Sequence, residues 1–397
     1  MFSSGKPSKS KFATQLCAAI AKLDGQQKYR YDPEIFRLVH ENGNGVINLS
    51  NMYQEHCSLP RAKWNSNLHR LASIFASSLE EIPQTFEEAK PHLRPKIWSR
   101  ATFDFMELRS LIDGGKVPDL PLYPLGSHLY SSLVYDTENS MRSVSNEDLS
   151  NWGTTFYEAL EIACDRLQET TMAIAKIGDG FHSSVSGDNY DSARILLVGR
   201  RNFDVVGDEI VTVPHRDAMY LAGSKDEVSL KILFDLTAKA AEVESRPLSP
   251  LPLRLVDGEW QDWTPPKNHV LRGQYDDLEL PFLGGLYSEQ KEILDILLGE
   301  KAIFVASFAA VQKKDSEKLL SYCVWSRNVD SLLPRTQVVV FLTGGSVVAS
   351  GEWDHVADIV RHLMVADETY YPVRYRAPNF PSNEQLAAIG RVQPFAD

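Results

Sequence analysis

Three times along the chain a helix-period apolar stripe gives way to short strand-like apolar runs, and these to another helix. That order constrains the fold most, because a helix offers one apolar stripe and a strand pair one apolar face, and each must be buried against something. In the first pass Phe12, Leu16, Ala19, Ile20 and Leu23 recur at helical spacing. Residues 35–39 and 46–49 then read as strands, joined by Asn42-Gly43-Asn44-Gly45, whose Asn-Gly steps supply the positive φ of a tight turn. A helix over 60–82 follows, with Leu68, Leu71, Ala72, Phe75, Leu79 and Ile82 on one stripe and Pro83 as its stop.

The second pass has a short strand at 131–135 and a helix from Thr155, capped with Glu158, to about residue 176. Asp191 is expected to cap a short helix through Leu197. Strands at 210–213 and 218–221 are joined by Pro214-His215-Arg216-Asp217, and a Ser224/Glu227 capping box opens a helix carrying Ile232, Leu233, Leu236 and Ala240. The third pass starts near Ser288 with Ile293, Leu294, Leu297 and Leu298. It continues through strands at 302–309, 319–326 and 337–342 to a final long helix from Glu352. Proline-rich stretches at 110–126 and 246–285 separate the passes, with 253–260 as an edge strand and the rest as connector.

The expectation is an α+β fold of two to three helix–antiparallel strands–helix modules, over 1–112, 127–265 and 286–397. Compact α+β secretion chaperones share this order, a fold-level analogy that fixes no function. Residues 213–222 also lie without gaps on 333–342, each with an apolar-Pro step before an apolar strand, which predicts an internal repeat.

Composition narrows the partners. Hydrophobic residues at 43% of the 397 exclude wholesale disorder. A formal net charge of -12, with no Lys/Arg cluster, argues against nucleic acid. No apolar run approaches the roughly 18 residues of a membrane span. Lys6, Lys9 and Lys11 before residues 12–21 mimic a secretory signal, but Thr14 and Gln15 interrupt the run, so an amphipathic helix is the better reading. Cys17, Cys57, Cys164 and Cys323 show neither disulfide nor zinc spacing, which points to a reducing, cytoplasmic setting.

Residues 187–196, Gly-Asp-Asn-Tyr-Asp-Ser-Ala-Arg-Ile-Leu, together with Val213-Pro214-His215-Arg216-Asp217, resemble the YtpQ-like family of bacterial proteins of unknown function. The family pattern pairs an Asp-Gly-Tyr-Asp-Ala-Ser-Arg segment with a Val-Pro-His/Ser-Gln/Arg-Asp turn. Here Asn189 replaces the Gly, and Ser192-Ala193 is transposed. The resemblance spans residues 8 to about 265, leaves the C-terminal part outside, and implies no catalytic residues.

Seven residues from these two segments form the candidate ligand- or partner-binding site: Asp188, Tyr190, Asp191, Arg194, His215, Arg216 and Asp217. The carboxylates can hold a hard cation, and His215 can act as a general base with Asp217 fixing its tautomer. Tyr190 and Arg194, four apart on the expected helix, would share a face. Ordinary structure explains the same residues: Asp191 as a cap, Arg194 as an ion-pair partner, and Asp217 bonding turn amides. Gly344-Gly345-Ser346 and Gly178-Asp179-Gly180 read as turns, since neither has phosphate-loop spacing. Arg374 and Arg376 read as a solvated edge strand before any grip on an acidic partner. No H-E-x-x-H or G-x-S-x-G is present, and no catalytic residue, metal ligand set or cofactor is assigned. The expected function is therefore a non-catalytic protein-binding, adaptor or chaperone-like module whose partner is another protein. The alternative is a metal-dependent hydrolase built on Asp188, Asp191, His215 and Asp217.

Overall fold

The computed structural model describes residues 6–23, 28–33, 36–41, 46–77, 83–137, 141–169, 174–177, 180–243, 247–312 and 319–395. The expected turn at 42–45, residues 178–179 of the second glycine turn, Ile35 and residues 78–82 of the second helix lie outside them. The chain packs as two compact units, Met1–Pro95 with Leu133–Leu167, and Lys96–Ser132 with Gln168–Asp397. Its class is α+β, as the alternation of periods predicts.

In the first unit the helix Lys9–Leu23 buries Phe12, Ala13, Leu16 and Ile20. They share a core with Leu38 and Ile47 of an antiparallel sheet formed by Tyr29–Asp32, Arg37–His40 and Val46–Asn48. The helix expected over 60–82 is a different set of elements. Ser50–Ser58 is helical, Leu59 before Pro60 turns extended, and the main helix runs Trp64–Ser77 with Leu68, Leu71 and Ala72 buried. A residue preceding proline is disfavoured in the α region, which explains the break. Ser145 and Asp148 form a full capping box that starts the helix Asn146–Trp152.

The second unit is built on a six-stranded, wholly antiparallel sheet. Its order is Glu259–Asp262, Ser249–Val256, Glu209–Val213, Tyr220–Gly223, Phe181–Ser184 and Ile174–Ile177. The helix expected to reach residue 176 ends at Glu169, and 174–177 form the last of these strands. One face of the sheet, with Phe181, Ile210, Ala222 and Leu251, packs on Leu230, Leu233 and Phe234 of the helix Glu227–Val243. Strand side chains alternate faces, so His182, Leu221 and Val211, register neighbours across the sheet, line the other. Against the strand Glu209–Val213 lies a nine-residue 3-10 run, Ser192–Arg200, burying Ile195, Leu197 and Val198.

Several sequence expectations are corrected here. Ser224 does not cap the next helix. Asp226 does, accepting the Val228 and Ser229 amides at 3.1 Å each, while Ser224 Oγ accepts the Asp208 amide at 2.9 Å. Two cap-type residues two apart compete for one role, and sequence does not rank them. The edge strand at 253–260 is a hairpin about Asp257-Gly258, both at positive φ. The helix expected from Ser288 already begins at Arg272 and carries Pro281 within it, so 272–285 is not a connector. The final long helix is shorter, Trp353–Val360 followed by a 3-10 turn, and a capped helix Asn383–Ile389 comes after it.

Beyond residue 300 two four-stranded sheets form, and they mix directions. Phe304–Val305 pairs parallel to Ser331–Pro334, and Leu319–Ser326 parallel to Val338–Thr343. The strands holding Leu333 and Val338 belong to different sheets, whereas Val213 and Tyr220 close one hairpin-like pair within a single sheet. The aligned segments 213–222 and 333–342 therefore play different topological roles and are not a structural repeat. Arg374, expected on a solvated strand, is fully buried. Its guanidinium donates to the carbonyls of Ala306 (2.8 Å), Leu332 (3.2 Å) and Tyr287 (3.2 Å) and to the Gln290 side chain. Burial pulls its pKa down to about 10.

Candidate functional site

The strand Phe181–Ser184 leads into the first candidate segment. Gly187 (φ 68°) and Asn189 (φ 69°) both take the left-handed region, which only Gly and, among larger residues, Asn or Asp adopt readily. The loop thereby folds back on itself and aims its amides inward. Asp191, 1% exposed, receives them: Ser186 and Gly187 donate backbone N–H at 2.9 Å each, and the Ser184 hydroxyl donates as well. Asp191 is thus a receptor for the preceding loop. It adopts helical backbone angles and makes no side-chain cap to the run after it, which corrects the expected capping role.

Arg194 is 0% exposed, and its charge is met by a two-point fork to Asp188, Nη1 to Oδ1 at 2.9 Å and Nη2 to Oδ2 at 2.7 Å. Asp191 Oδ1 stands 3.7 Å from the same guanidinium. A buried arginine is tolerated only with its charge paired and hydrogen-bonded, and this arrangement supplies both. The guanidinium in turn holds the Asp188 carboxyl below the usual carboxylate range, with the hydrogen bond from Arg194 as the largest cause. Asp188 Oδ1 also accepts the Tyr190 amide at 3.0 Å, and the Tyr190 side chain is buried. Because the run is 3-10, with three residues per turn, Arg194 lines up with Asp191 and not with Tyr190, against expectation.

The second segment meets the first through its backbone: the Ser192 N–H donates to the Arg216 carbonyl at 3.0 Å, and Ser184 N–H to the Met219 carbonyl at 3.0 Å. The side chains of the turn face elsewhere. Among the described residues, Arg216 and Asp217, 62% and 39% exposed, form an ion pair only with each other, at 3.1 Å. His215 Nδ1 accepts the Asp217 backbone N–H at 3.2 Å, so that amide, and no carboxylate, orients the imidazole. An exposed pair of this kind contributes about 0–1 kcal/mol.

The seven residues thus divide into a clasp, in which Tyr190, Asp191 and Arg194 are buried and Asp188 is half-buried, and a surface turn (His215, Arg216 and Asp217). Among the described residues no hydrogen bond or ion pair joins the carboxylates of Asp188 or Asp191 to the side chain of His215 or Asp217, and no group of three or more His, Cys, Asp or Glu is placed to hold a metal ion. Most of the lone pairs of these two carboxylates are given to Arg194, the Ser184 hydroxyl and the loop amides. Sequence reasoning missed Ser184 and the amides of Ser186 and Gly187. The available signal was Gly187 followed two residues later by Asn189, a pair suited to positive φ ahead of an acidic residue. A groove lined by Val348, Asn383, Leu386, Ala387, Gly390 and Arg391 lies far along the chain and includes none of the seven.

Among the described residues no helix is long and apolar enough to cross a membrane. No family model matches the chain, and no solved structure matches it. UPF0354 proteins of Bacillus cereus (strain AH187), Bacillus thuringiensis subsp. konkukian (strain 97-27) and Bacillus anthracis are each 21% identical to it over 267 residues, 64% of this chain and 93% of theirs. The chain is therefore similar to proteins of an uncharacterised family, whose names state no activity.

Proposed function

We propose that this chain is a non-catalytic protein-binding module, of adaptor or chaperone-like character, working in the bacterial cytoplasm as a YtpQ-like protein. Its partner is another protein, met at the surface turn His215–Asp217. The observation that carries this reading is the Ser192 N–H to Arg216 carbonyl bond, which anchors an exposed Arg216-Asp217 pair to the clasp around buried Asp191 and Arg194. A preformed turn loses little conformational entropy on binding, and a planar guanidinium at its tip suits a carboxylate-bearing partner. The clasp positions the turn, and the division into modules at 1–112, 127–265 and 286–397 belongs to the same proposal.

The test is quantitative cross-linking in the native host with wild type and an Arg216→Ala/Asp217→Ala double variant. Loss of the cross-linked partner with an unchanged melting temperature supports the reading. An unchanged set of cross-links at 210–220 overturns it.

A further inference from the structure

In the second unit a different group of titratable side chains gathers at the corner where the strand Leu129–Asp136 begins. Gly126, at φ 60°, turns the chain there, and the Ser127 amide donates to Asp262 Oδ1 at 2.9 Å. His128 follows. Its Nδ1 lies 2.8 Å from the Tyr371 hydroxyl, and its ring stands edge-on to Phe282 (5.3 Å, 79°) and to Tyr371 (5.9 Å, 62°). Arg100 spreads over the Tyr371 ring at 4.6 Å, donates its backbone N–H to the His128 carbonyl at 2.9 Å, and reaches Asp104 at 3.4 Å. The charged or titratable groups facing His128 are therefore Tyr371, Arg100 and Asp262, with Asp104 and Tyr130 behind them.

Tyr371 is 3% exposed, and burial lifts its phenol above the ordinary tyrosine range, so it keeps its proton; His128 is the hydroxyl's one hydrogen-bond partner among the described residues, and donating to it is what satisfies that buried proton. His128 Nδ1 must then accept, which places the imidazole proton on Nε2 and leaves the ring neutral. Burial favours the same state, holding His128 below the usual histidine range; Arg100 acts in the same direction and Asp262 opposes it. Protonating Nδ1 would turn the acceptor into a donor. The phenol would have to turn its hydrogen away from its one hydrogen-bond partner among the described residues. A second positive charge would also stand beside Arg100.

We propose that His128 and Tyr371 form a proton-operated latch: it holds the segment before Arg374 against the 126–129 corner while His128 is neutral and releases it on protonation. Two links hold that segment's far end, Gln290 Nε2 to the Pro372 carbonyl at 2.7 Å and Tyr287 to the Val373 carbonyl at 2.9 Å, so release is local to residues 367–372. In the released state His128 titrates near its free value of about 6.5. Opening is therefore independent of pH above that value. Below it, opening is favoured up to about tenfold per pH unit until the closed-state histidine itself protonates.

The test is hydrogen exchange by mass spectrometry on the full chain between pH 8 and 5, corrected for the intrinsic pH dependence of exchange. Peptides spanning 367–374 are compared with peptides spanning 209–223 of the central sheet. The expected result is flat protection of 367–374 above about pH 6.5, and a fall approaching tenfold per unit below it that exceeds any fall at 209–223. Tyr371→Phe keeps the ring packing and removes the hydroxyl, so it should make the excess slope shallower, while burial and Arg100 still disfavour protonated His128; His128→Gln should abolish the slope. Flat wild-type protection down to pH 5, an equal fall in both peptides, or an undiminished slope in Tyr371→Phe would each overturn the latch.

Discussion

Asp191→Asn tests the clasp with almost no change in volume. The carboxylate accepts three donors, with the Ser184 hydroxyl and Ser186 amide on Oδ1 and the Gly187 amide on Oδ2. Asparagine keeps one carbonyl. If that oxygen serves Ser184 and Ser186, its NH2 confronts the Gly187 N–H, and an unsatisfied donor costs about 1–3 kcal/mol. The two surviving bonds fall from charge-assisted to neutral, about 1 kcal/mol each. Arg194 also loses a carboxylate at 3.7 Å, while the Asp188 fork remains. The sum is about 3–5 kcal/mol, within the range for breaking a buried charged network. At about 2–4 °C per kcal/mol for a unit of this size, the melting temperature should drop by roughly 6–20 °C in calorimetry at pH 7. Asp217→Asn, which disturbs only an exposed pair, should cost less than about 1 kcal/mol. A loss below about 1 kcal/mol for Asp191→Asn, or equal losses for both variants, would refute the division into clasp and surface turn.

Other outcomes follow from the same structure. Leu233, fully buried between helix and sheet, should cost about 2–5 kcal/mol when cut to alanine; an unchanged urea midpoint would contradict its place in that core. Burial holds His56, His128 and His182 below the ordinary histidine range, so each is neutral when folded and binds more protons unfolded. Stability is then fully present above about pH 6.5 and is lost as pH falls below it, so urea midpoints should be lower at pH 5.5 than at 7.5, and a rise would contradict this. Trypsin should cut first at Lys116, within the exposed, irregular stretch 114–119, whereas residues 272–285 should resist because they are helical. First cleavage at Arg272 would reverse that expectation.

What the sequence revealed depends on how local the cause is. The strand Leu319–Ser326 was legible because a short run rich in Leu, Tyr, Val and Trp suits a pleated, half-buried surface. The stripe Phe12–Leu16–Ile20 was legible because its residues recur at helical spacing. The first half of the helix Arg272–Leu298 was hidden, because Pro281, Gly284 and Gly285 lower local propensity while Tyr275 and Leu278, packed on the sheet, stabilise it from outside. The parallel pairing of Leu319–Ser326 with Val338–Thr343 was equally invisible, since strand direction is set by the route of the chain through another sheet. At the candidate site the participants were legible and their roles were not. Whether Asp191 caps forward or receives backward depends on the φ of Gly187 and Asn189, and whether Arg194 meets Tyr190 or Asp191 depends on 3-10 against α winding.

The central claim, that the clasp holds the surface turn in place, is tested most directly by the exchange rate of the Ser192 amide, which bonds the Arg216 carbonyl. In Asp191→Asn, well below its own melting temperature, that amide should lose about a hundredfold in protection, equivalent to about 2.7 kcal/mol, while amides of the strand Ser249–Val256 keep theirs. Unchanged protection at Ser192, or a uniform loss across the sheet, would contradict it.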